Sequence, residues 1–177
     1  RAQSALMLMD GFQPEGVTKL AQDSVFMMPH LGVLSTVHPK AAMEIFEKDC
    51  LVRLGTCITP VGEGKRGETA VKVRVKTPDA EVTEDILFGT IKRIPLKEKG
   101  IANVKIEPYG DLDVGVGKGH SYTTSVEGGV VGIIVDARGR PLILPQDSSE
   151  RSKKLIEWFT ALDAYPQETL TKIAETV

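Results

Sequence analysis

The sequence predicts an α+β fold: a helical N-terminal segment, a small antiparallel β barrel or sandwich module, and a C-terminal helix packed on it. Three observations carry this. Apolar residues in the first 60 positions recur at helical spacing. The middle third alternates with period two. The last 30 residues return to helical spacing. The 177 residues are 41% hydrophobic and 26% charged, enough to bury a core and keep a polar surface.

The elements follow in order. Residues 15–28 carry Val17, Leu20, Ala21, Ser24, Val25 and Met28, which would form one buried face of a helix. Pro29 would end it, and Gly32 would let the chain bend. Pro39 suits a first helical position, so a second helix is expected over 39–49 with Ala42, Ile45 and Phe46 inward. Val71, Val73 and Val75 alternate with Lys72, Arg74 and Lys76, the pattern of a half-buried strand. Further strands are expected over 86–94, 101–107, 120–127, 130–136 and 140–144. Turn signals at 77–79, 99–100 and 127–129 separate several of them. Residues 136–139 read as a hairpin turn, with Gly139 supplying a positive φ. Asp147 or Ser148 would cap a helix buried through Leu155, Ile156, Phe159 and Leu162. Pro166 would break it before a short helix over 168–177.

The change of period near residue 65 divides the chain into a helical segment, 1–62, and a β module with C-terminal helices, 63–177. The glycine-rich loop 61–67 would link them. The chain opens at Arg1 without an initiator Met, which points to a piece of a longer protein.

Bulk chemistry removes several classes. A net charge of −2 argues against wholesale polyanion binding, and 5% aromatics leave little to stack bases on. No apolar run approaches the roughly 20 residues of a membrane span. Two cysteines, Cys50 and Cys57, are too few for a disulfide scaffold and lack tight metal or redox spacing. They read as reduced thiols in a cytoplasmic protein. His30 and His38 add no ligand motif, so no metal site is assigned. No nucleophile elbow or zinc-protease pair is present, so no catalytic residue is assigned either.

Two places could bind a ligand. Gly115, Gly117, Lys118 and Gly119 lie in the densest glycine cluster, where backbone amides and a lysine could meet an anion. The alternative is a mobile loop between strands. Arg138 and Arg140 flank the 136–139 turn and could grip a carboxylate or phosphate. The alternative is that they pair with Asp136 or coat the turn. Residues 92–105 hold five basic side chains and one acid, a basic face that could bind single-stranded nucleic acid. That stretch has no aromatic residue, which disfavours nucleic acid.

Residues 23–35 read Asp-Ser-Val-Phe-Met-Met-Pro-His-Leu-Gly-Val-Leu-Ser, followed by His38-Pro39 and Ala41-Ala42. They resemble a segment near the C-terminus of the MutL-like, actin-like ATPases linked to glutamate mutase. Residues 129–144, with Asp-Ala-Arg-Gly-Arg-Pro-Leu inside them, resemble the tail that longer members carry. The resemblance implies a non-catalytic C-terminal domain of an activator ATPase serving a cobalamin-dependent mutase. It implies ATP and magnesium for the full-length protein and no cofactor in this chain. The family's phosphate loops have no counterpart here. Asp113-Val-Gly-Val-Gly117 is the nearest string and lacks their hydroxyl residues. The expected partner is a protein or the remainder of a larger chain, with an exposed apolar face where it docks. The alternatives are a stand-alone anion- or nucleotide-binding module and a small nucleic-acid-binding barrel.

Overall fold

A computed structural model describes residues 1–175. Helix α1 (Ala2–Phe12) leads into strand β1 (Gly16–Asp23), then helices α2 (Met28–Ser35) and α3 (Pro39–Ile45). A π-helical turn (Phe46–Cys50) runs into β2 (Leu51–Thr59). Six strands follow: β3 (Thr69–Lys76), β4 (Glu81–Leu87), β5 (Ile91–Ile94), β6 (Ile101–Pro108), β7 (Tyr122–Glu127) and β8 (Gly132–Asp136). Helices α4 (Ser148–Ala161) and α5 (Gln167–Glu175) close the order.

The strands form two four-stranded sheets, ordered β1-β2-β8-β5 and β4-β3-β6-β7. They do not close into a barrel, so the α+β fold is built on the sandwich arrangement. The second sheet is antiparallel throughout. The first is mixed, because β2 runs parallel to β8, with Gly55 opposite Gly132 and Ile58 opposite Val135. Segments 1–62 and 63–177 therefore share a sheet.

Three layers result. Val71, Val73 and Val75 of β3 face Ile58, Ile133 and Val135 of the first sheet across one core. Each such side chain contributes roughly 1.5–3 kcal/mol when fully buried. The other face of the first sheet is covered by α1 and α4. There Leu6 and Met9 pack with Leu54, Ile134, Trp158 and Leu162 in a second core. Asp147 caps α4 as expected, its carboxylate accepting from the Glu150 N–H at 2.9 Å. Leu162 is fully buried, Leu155, Ile156 and Phe159 half-buried, and Trp158 joins them.

Four expected elements are corrected. Residues 15–28 do not form a helix, because Gly16–Asp23 pairs antiparallel with β2 from Gly16–Thr59 to Asp23–Leu51. Both faces of this strand are partly covered: Val17 packs on the inter-sheet core and Leu20 under the helices. Apolar residues at odd and even positions imitate a helical period. The 86–94 strand is two strands separated by a turn, in which the Gly89 N–H reaches the Ala137 carbonyl. Residues 140–144 form no strand, so 136–139 is not a hairpin tip, although Gly139 does adopt φ 102°. The second helix holds over Pro39–Ile45 but passes into the π-helical turn before Cys50.

Candidate functional site

Asp136 ends β8, and the chain then bends at Arg138 and Arg140, with Gly139 at φ 102°, so that both guanidiniums return to its carboxylate. Arg138 grips Asp136 with Nε to Oδ1 and Nη2 to Oδ2, both at 2.8 Å. Its Nη2 also reaches Asp10 Oδ1 of α1 at 2.6 Å. Arg140 donates from Nη2 to Asp136 Oδ2 at 2.8 Å, from Nε to the Pro14 carbonyl and from Nη1 to the Gly139 carbonyl. The Arg138 guanidinium lies 4.8 Å from the Trp158 ring centroid, a cation–π contact with α4. Two carboxylates and two guanidiniums thus balance inside the helix-covered layer.

The side chains of Arg138 and Asp136 are 0% exposed and that of Arg140 is 3%. Both arginines are committed to Asp136, and both also line the open cleft beside Gly139. The reading of them as a carboxylate or phosphate clamp gives way to the alternative of pairing with Asp136. Their signal in the sequence is the D-x-R-x-R string, which holds one carboxylate and two guanidiniums within five residues. Burial would raise the Asp136 carboxyl, but Arg138 and then Arg140 outweigh it and hold it below its ordinary range. Burial would lower the Arg138 guanidinium, yet Asp136 and Asp10 keep it charged and push it up. Arg138 Nη1 and Trp158 Nε1 are buried without a hydrogen-bond partner among the described residues. Cys57 lies in the same layer. Burial, with Asp136 adding to it, pushes its thiol up to about 12. Its Sγ is 3.3 Å from both Met9 Sδ and Thr59 Oγ1.

The glycine cluster is also occupied from within. Asp113 Oδ1 accepts from the N–H groups of Gly115, Val116 and Gly117 at 2.7, 3.0 and 2.9 Å. The Gly119 N–H goes to the Leu112 carbonyl at 2.9 Å. The amide cradle forms as the glycines suggest, but the chain's own carboxylate fills it. The Gly115 and Gly117 amides outweigh burial and hold the Asp113 carboxyl below its usual range. Among the described residues Lys118 makes no ion pair. Gly115 and Lys118 do not share a cleft with Arg138 and Arg140.

The basic face is largely neutralised. Lys92 pairs with Glu84 at 2.6 Å, Arg93 with Asp163 at 3.5 Å, Lys97 with Asp79 at 3.6 Å and Lys105 with Glu107 at 2.8 Å. Among the described residues no group of three His, Cys, Asp or Glu could hold a metal ion, and no helix is long and apolar enough to cross a membrane. Cys50 and Cys57 are free and buried.

The most distinctive surface is one that sequence reasoning did not single out as a site. Residues 24–50 leave the sandwich between β1 and β2 and return beside their exit, where the Ser24 N–H meets the Cys50 carbonyl at 2.9 Å. Asp23 holds the turn by accepting from the Val25 and Met28 N–H groups at 3.1 and 3.0 Å. Within this arm Leu31, Ala42 and Cys50 are buried. Phe26, Val33 and Val37 are 80%, 72% and 70% exposed, and Val25, Met28, Met43 and Ile45 are exposed as well. Phe26 sits at φ 56°, a left-handed conformation that is uncommon for a bulky residue. The signal in the sequence was the absence of any charged residue over 24–39, in a chain that is 26% charged.

No family model matches this sequence, and neither the curated proteins nor the solved structures give a match.

Proposed function

We propose that this chain is a non-catalytic docking domain that seats its helical arm on a protein partner. In this reading it is the C-terminal domain of a cytoplasmic MutL-like, actin-like ATPase that supports a cobalamin-dependent mutase. The single observation that carries the reading is the arm. Seven of its apolar side chains, Val25, Phe26, Met28, Val33, Val37, Met43 and Ile45, are 36–80% exposed. Exposed apolar surface concentrated on one segment is a mark of a protein–protein contact. Of the two strings that carry the MutL-like resemblance, 23–35 with 38–39 and 41–42 falls almost wholly on this arm, and 129–144 falls on β8 and the segment after it. ATP and magnesium belong to the actin-like lobe in this proposal.

Calorimetric titration of the chain against the actin-like lobe, and against the mutase, tests it. One of the two binds the wild-type chain. The combined Phe26→Asp, Val33→Lys, Val37→Lys variant weakens that binding by about tenfold or more. All three positions are exposed, and Asp is better suited than most residues to the left-handed φ at 26, so the variant keeps its fold. Binding to neither protein, or binding indifferent to the variant, overturns the proposal.

A further inference from the structure

An open cleft of about 710 Å³ lies between loop 61–67 and the segment that follows Gly139. One wall is the glycine-rich loop, contributing Gly62, Gly64 and Arg66. Phe88, Ile143, Leu144 and Glu150 line it as well, together with the paired Arg138 and Arg140. Unlike the amides that Asp113 fills, the N–H groups of residues 62–66 have no protein acceptor among the described residues. Arg66 makes no ion pair or hydrogen bond there either. Its side chain lies over Gly89, where a Cβ would come within 3.1 Å of Nε. Gly64 rests on the Phe88 ring so closely that a Cβ would stand 2.3 Å from it. The loop is thus held against the cleft by two glycine contacts, which bring a guanidinium and amides without a described partner beside the Phe88 ring.

From this geometry we infer that the cleft binds an organic carboxylate with an apolar body. The amides and Arg66 receive the carboxylate, the guanidinium being suited to bidentate contact. Phe88, Ile143 and Leu144 take the body, and the volume falls in the range of small-molecule sites. Glu63 and Glu150 also line the cleft, and the lining Arg138 and Arg140 are already paired with Asp136, so the Glu150 carboxylate opposes an anion bound there.

The test is a titration of the full chain with 3-phenylpropanoate, followed by amide NMR. The amides of Gly62 and Gly64 shift saturably at millimolar concentration, and the uncharged 3-phenylpropanamide leaves them in place. Arg66→Gln weakens binding by about tenfold. Glu150→Gln tightens it, an opposite change that a general loss of structure could not produce. Both side chains are at least partly exposed, so neither variant should prevent folding. Absent saturation, equal shifts with the amide, or shifts centred away from loop 61–67 overturn the inference. It is independent of arm docking, which the arm variant tests separately.

Discussion

At Asp136 a single carboxylate holds two guanidiniums inside the protein. Its own burial would favour the neutral acid, so its ionised state depends on Arg138 and Arg140. Arg138 in turn touches α1 through Asp10 and α4 through Trp158, so the ion cluster ties both helices to the end of β8. Replacing both charges by apolar groups can be nearly neutral, but removing one side leaves the other buried and uncompensated. Asp136→Asn keeps the shape and deletes the charge, so it is expected to destabilise by about 3–5 kcal/mol in urea unfolding. The same carboxyl makes a pH prediction. Its folded value is depressed, so its stabilisation is complete above the unfolded value near 4 and is lost as pH falls through the folded one. Asp113 acts with the same sign. Wild-type stability therefore declines below about pH 4, and Asp136→Asn flattens part of that decline while lowering the plateau. An Asn variant as stable as wild type at neutral pH would show that the cluster is not a structural tie.

Among the elements, β2 makes the most demanding fit. A bulge opposite Leu20 and Ala21 lets Leu54 and Cys57 both face the helices, where strict alternation would separate them. Gly55 sits within this irregularity at φ 148°. A Cβ there would lie 2.0 Å from the Gly132 carbonyl oxygen and 2.7 Å from that of Gly128. Both contacts are backbone, so no side-chain rotation relieves them. Gly55→Ala is therefore expected to cost on the order of 3 kcal/mol or more, or to prevent folding, as read by urea unfolding. An Ala variant near wild-type stability would mean that β2 and β8 can separate freely. The same strand shows what the sequence could and could not convey. Strand β3 was legible because one face is buried, giving a clean Val-Lys-Val-Arg alternation. Strands β1 and β2 are covered on parts of both faces, so their periods blur, and β1 was mistaken for a helix. The α4 cap was legible because it is local: Asp147 needs only the N–H three residues on. The amide cradle at 115–117 was legible as a cradle, but its occupant, Asp113, competes with every outside anion.

The molecule as a whole separates a sandwich clamped by helices from an arm that stands on it. The pairing of β2 with β8 was invisible to local patterns because it joins residues more than 70 positions apart. That pairing makes the early strands integral to the first sheet. The arm is different. Its buried side chains are few, its apolar residues face outward, and its two ends meet where Ser24 N–H bonds the Cys50 carbonyl. The flanking strands are already antiparallel and in register, Asp23 lying opposite Leu51. A short turn can therefore replace the whole excursion without moving the sheet. Substituting residues 25–49 by Asn-Gly, a sequence suited to a two-residue hairpin, is expected to leave a folded sandwich. Its thermal midpoint should stay within about 5 °C of wild type, a shift that corresponds to roughly 1–2 kcal/mol in a domain of this size. The arm-less chain should also lose the partner binding assigned to the exposed apolar surface. A large drop in midpoint would show that the arm belongs to the core. Retained stability with retained binding would instead place the docking surface elsewhere on the sandwich.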